Sequence, residues 1–148
     1  MHHQKFKSMK TEKLIRIASL VFISMSALTF LYVSILALAN PQGVMDLVDV
    51  KLANNDAISS IRGVYGGVGL SLSITLAYLA FTNVSKALSL LCLLWGFYAG
   101  SRVITIFSDG ALGTFGLQWM TIEATFFSFA FTLLVVGSVT KTFKPAAQ

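Results

Sequence analysis

The sequence predicts an all-α integral membrane protein, a bundle of four transmembrane helices with both termini cytoplasmic, and three observations carry that prediction. Hydrophobic residues make up 55% of the chain and charged residues only 11%. Soluble domains carry about 25% charged residues, so the bilayer has to serve as solvent for most of this chain. Four apolar stretches are each long enough to cross a hydrocarbon core of about 30 Å, which takes about 20 helical residues at roughly 1.5 Å each. Finally, Lys and Arg gather at alternate connections, the bias that orients multi-pass proteins.

The elements follow in order. Residues 1–13 form a basic N-terminal tail, and the first span runs over 14–39 until Asn40-Pro41-Gln42-Gly43 stops it. A basic start, an apolar stretch and Ala37-Leu38-Ala39 before Asn40 also resemble a cleavable signal peptide. The apolar stretch exceeds the roughly 7–15 residues of an h-region, so the segment is expected to stay as a span. In the connection 40–56, Val44, Leu47 and Val48 recur at helical spacing while Asp46 and Asp49 turn elsewhere. That pattern fits either a short helix on the membrane surface or a loop folded over the outer helix ends. Asn55 or Asp56 caps the second span, 57–81, and residues 82–86 make a tight connection to the third, 87–107. Asp109-Gly110, with Gly113 and Gly116, turns into the fourth span, 117–139, which completes a single domain over 14–139 before a tail of 140–148.

Lys5, Lys7, Lys10, Lys13, Arg16, Lys86, Lys141 and Lys144 fall on one side of this four-span layout. The opposite connections hold Lys51 beside Asp46, Asp49, Asp56 and Asp109. Both tails are therefore expected in the cytoplasm. The net charge of +5 reflects this orientation and not a nucleic-acid stripe, since the basic residues flank apolar segments without interleaved aromatics. Cys92 is alone within an apolar run and is read as packing. His2 and His3 lack companion ligands, so no metal site is expected, and the Asn83-Val84-Ser85 sequon faces the cytoplasm.

Two kinds of residue stand out inside the spans. Gly63-x-x-x-Gly67 and Gly96-x-x-x-Gly100, extended by Gly66, Gly69 and Ala99, predict close packing of the second and third helices, because small residues let backbones approach where lipid supplies no hydrophobic drive. The charges Arg62, Arg102 and Glu123 are the second kind. Arg62 lies near the outer end of its span, whereas Arg102 and Glu123 lie about 8 and 9 Å inside the outer ends of theirs. A central charge costs roughly 2.5 to 3.5 kcal/mol on insertion scales. Arg102 and Glu123 are therefore expected to pair, with Arg62 close above and Asp109 as a further acceptor at the rim. Tyr65, Trp95 and Tyr98 could line the cationic, outward-opening pocket that results, although such aromatics also serve as core and anchors. Phe126, Phe127, Phe129 and Phe131 suit lipid contact and packing.

The stretch Ile61-Arg62-Gly63-Val64-Tyr65-Gly66-Gly67, followed by Gly100-Ser101-Arg102, Asp109-Gly110 and a glutamate in the last span, resembles the bacterial four-helix membrane proteins grouped as domain of unknown function 4345. The resemblance covers about residues 15 to 140 and implies a four-helix inner-membrane protein, without implying a reaction. It points to Arg62, Tyr65, Gly66, Gly67, Arg102, Asp109 and Glu123. The function expected is that of a binding or interaction protein of the bacterial inner membrane, with a cationic pocket for an anionic lipid head group or small acid, or that of a membrane-complex subunit or homo-oligomer. The alternative is a small oligomeric transporter or channel gated by the Arg/Glu cluster, which needs a polar route through an inner half poorly supplied with polar residues, mainly Ser71, Ser73, Thr75, Ser128 and Thr132. An enzyme would need a nucleophile with its base, or clustered metal ligands at depth. With no intramembrane His or Asp and one isolated Cys, neither catalysis nor a cofactor is expected.

Overall fold

The computed structural model describes the backbone of residues 2–143 and the side chains of residues 9–143. The side chains of His2, His3, Lys5 and Lys7, and all of Lys144, lie outside the described residues. Helix α1 is His2–Ala39, α2 is Pro41–Met45, α3 is Asn55–Ile61, α4 is Gly69–Thr82, α5 is Val84–Ser108 and α6 is Thr114–Val139. A 3-10 turn, Asp46–Val48, follows α2, and a π-helical segment, Arg62–Val68, joins α3 to α4. Among the described residues four helical stretches are long and apolar enough to cross a membrane, namely Met9–Ala39, Asn55–Thr82, Val84–Ser108 and Thr114–Val139.

The caps explain the boundaries. Asn40 accepts a hydrogen bond from the Gly43 N–H at 3.0 Å and starts α2 with Pro41 in its first turn. The second span is capped by Asn54, which accepts from the Ala57 N–H at 2.8 Å. The expectation of Asn55 or Asp56 is thereby corrected: both lie in the first turn, one and two residues past the cap. Asn83 alone separates α4 from α5 and caps the latter through the Lys86 N–H at 3.0 Å. Gly110, at φ 104°, closes α5 in a left-handed conformation that glycine adopts without a Cβ penalty. At the end of α6 the N–H of Thr142 reaches the Gly137 carbonyl at 2.9 Å and that of Lys141, at φ 60°, reaches Ser138 at 3.2 Å. These two bonds make a Schellman closure. Gly116, expected in a loop, is the third residue of α6, against the Leu112 side chain.

The chain divides into two compact units, one of residues 1–23 and 79–148, the other of residues 24–78. In the first, α5 and α6 pack antiparallel, with Arg102 meeting Glu123 and the Gly96 position meeting Phe127. Leu88, Leu91, Trp95, Ala130 and Leu133 are buried. Phe22 of α1 stands edge-on to Phe126 and Phe129 at ring-centroid distances of 5.6 and 5.0 Å, so two of the α6 phenylalanines belong to a packed aromatic group.

In the second unit the C-terminal half of α1 runs against the second span. A Cβ on Gly66 would lie 2.7 Å from the Leu38 side chain, and one on Gly69 would collide with Ser34 Oγ. Ser73 Oγ donates to the Ala27 carbonyl at 2.8 Å, a polar link between helices that apolar surroundings make costly to leave open. The glycine expectation needs correction on this point. Gly66 and Gly69 admit α1, Gly96 admits α6 through Phe127, and at Gly63, Gly67 and Gly100 a Cβ would meet nothing within 4 Å. The two GxxxG spacings are present, but in each the close approach is made by other or fewer glycines than the spacing suggests.

Candidate functional site

Arg102 stands on α5 and Glu123 on the facing side of α6. The guanidinium donates from Nε to Oε2 at 2.7 Å and from Nη2 to Oε1 at 2.8 Å, a fork-to-fork pair. The Glu123 side chain is 3% exposed and that of Arg102 is 25% exposed. A carboxylate held so far from water is tolerable because both oxygens accept from a cation with matching planar geometry. The pairing expected from depth is therefore made, and its two charges cancel. Trp95, on the same helix, is buried edge-on to Phe126 at 5.0 Å, with Tyr98 tilted against it at 6.2 Å. Trp95 therefore belongs to the core and does not line an open pocket. Asp109 is exposed and ends α5, its N–H donating to the Thr105 carbonyl at 2.8 Å.

Arg62 and Tyr65 belong to the other unit. Arg62 is exposed at the start of the π segment, and its Nε donates to the Leu38 carbonyl at 3.1 Å. That carbonyl lies in the last turn of α1, where helix carbonyls lack intrahelical partners. Among the described residues no carboxylate forms an ion pair with Arg62. Tyr65 is 39% exposed within the same segment. Wide π turns are uncommon and concentrate at functional positions. Here the segment Arg62–Val68 takes in the whole Arg-Gly-Val-Tyr-Gly-Gly run.

A family model named Domain of unknown function (DUF4345) matches residues 18–134. The chain belongs to this family. The matched DUF4345 region contains Arg62, Tyr65, Arg102, Asp109 and Glu123, and so it includes both the paired and the singly bonded arginine. No curated protein and no solved structure matches this DUF4345 chain.

Gln42, read in the sequence only as part of the stop after the first span, organises the connection that precedes α3. Its Nε2 donates to Asp46 Oδ1 at 2.7 Å and to the Val50 carbonyl at 3.0 Å, while its Oε1 accepts from the Leu52 N–H at 2.9 Å. The available signal was an amide directly after a proline that ends a span, four residues before an aspartate. That is too common a pattern to single the residue out.

Proposed function

We propose that this is a multi-pass inner-membrane binding protein that holds an anionic lipid head group or a small acid at Arg62. One observation carries the reading: Arg62 spends its Nε on Leu38, and no carboxylate of the described residues neutralises it. Its terminal nitrogens carry four further donors in a planar fork that matches a carboxylate or phosphate. Arg102 is excluded from this role because Glu123 takes up its charge; that pair acts as a staple between α5 and α6. The bias of Lys and Arg supports an orientation with both ends in the cytoplasm and Arg62 toward the outer leaflet.

Native mass spectrometry from mild detergent, after addition of phosphatidylglycerol or phosphatidylcholine, tests the proposal. Phosphatidylglycerol should remain bound in preference to phosphatidylcholine, Arg62→Gln should lose that preference, and Arg62→Lys should keep part of it. Equal retention by the wild type and Arg62→Gln would reduce Arg62 to an arginine extended toward the head groups. A second reading, membership in a homo-oligomer or larger membrane complex, draws on Gly63, Gly67 and Gly100, whose open faces could admit another helix. The same spectra count the subunits.

A further inference from the structure

We propose that the connection of residues 40–54 is an interfacial anchor whose Leu47, Val48 and Val50 enter the head-group boundary of the leaflet in which the first two spans end. Depth is the first argument. Val44 and Met45 are buried in a cluster with Ala37, against which Leu36, Leu52 and Ile61 pack. Ala37 is two residues, about 3 Å, from the end of α1, and Ile61 is six residues, about 9 Å, along the second span from Asn55. The connection is therefore folded down beside the helices and does not stand away from the bilayer.

The second argument is polar accounting. A segment enters a water-poor boundary cheaply only when its own polar groups are satisfied. Gln42 does this for the turn by taking up the Asp46 carboxylate, the Val50 carbonyl and the Leu52 N–H. Asp49, in a left-handed conformation at φ 57°, ends the 3-10 turn with its N–H on the Asp46 carbonyl at 3.3 Å. Against this internally bonded frame Leu47 is 56% exposed, and Val48 and Val50 are each 46% exposed.

Lipid is the occupant because the patch is continuous with it: the connection starts directly after the last residue of one candidate span and ends directly before the first of the next. Asp49 and Lys51, exposed among the aliphatic residues, set the limit of insertion at the head groups, as in amphipathic interfacial segments. The inference stands whether or not Arg62 holds an anion.

The test is spin-label accessibility in the full-length protein, reconstituted in phosphatidylethanolamine and phosphatidylglycerol vesicles, with Cys92→Ser as background. Nitroxides at Leu47→Cys and Val50→Cys should relax with dissolved oxygen in preference to a water-soluble nickel chelate. The oxygen-to-nickel ratio should be several-fold above that at Asp49→Cys. Val48→Cys, also exposed, gives the same readout should either variant fold poorly. Ratios at 47, 48 and 50 equal to that at 49 would overturn the proposal and leave the patch facing water, free for a soluble protein partner.

Discussion

Removing Arg102 leaves the Glu123 carboxylate, 3% exposed, in a low-dielectric site without the cation that both its oxygens face, whereas removing both members removes the demand as well. Arg102→Gln should cost about 3 to 5 kcal/mol of stability and Glu123→Gln, which leaves a partly exposed cation, less, and the double variant should recover most of the loss. Folded yield after membrane extraction and melting in detergent report both quantities, and additive losses would contradict the geometry. This pair was legible in the sequence because two opposite charges at similar depth on neighbouring spans have few other solutions in hydrocarbon. Arg62 was less legible. Its partner is the backbone carbonyl of Leu38, and every helix end offers such carbonyls, so no residue type announces which one is used.

At the scale of elements, the same spacing of glycines has two different meanings. Gly66 and Gly69 make room for α1, while Gly63 and Gly67 stand open on the same segment. Gly66→Leu and Gly69→Leu should therefore lower stability by about 1 to 3 kcal/mol through overpacking. Gly63→Leu and Gly67→Leu should stay within about 0.5 kcal/mol. Thermal melting of the four variants in one detergent decides the matter, and a larger loss at Gly67 than at Gly66 would reverse the assignment of faces. Four helices long and apolar enough to cross a bilayer could be read from hydropathy, because length and polarity are what such a helix requires. Which helix a glycine faces could not. A GxxxG spacing fixes that two glycines share a helix face, not which neighbour that face meets, and the π turns of Arg62–Val68 further shift the register that an ideal helix would impose.

For the whole molecule, the uneven placement of Lys and Arg leads to a prediction of topology. Phosphatase fused after Lys144 should be inactive, and phosphatase inserted between Asp46 and Lys51 should be active. The opposite pattern would place Arg62 and its neighbours in the cytoplasmic leaflet. The staple between α5 and α6 also has a consequence during biosynthesis. Arg102 precedes Glu123 by 21 residues, which at about 5 to 20 residues per second is roughly 1 to 4 s of synthesis. Through that interval the nascent α5 carries a cation into the membrane before its counter-charge has been made. The α5 cation is thus offset only once α6 follows it into lipid, and in a Glu123→Gln chain the waiting interval never ends.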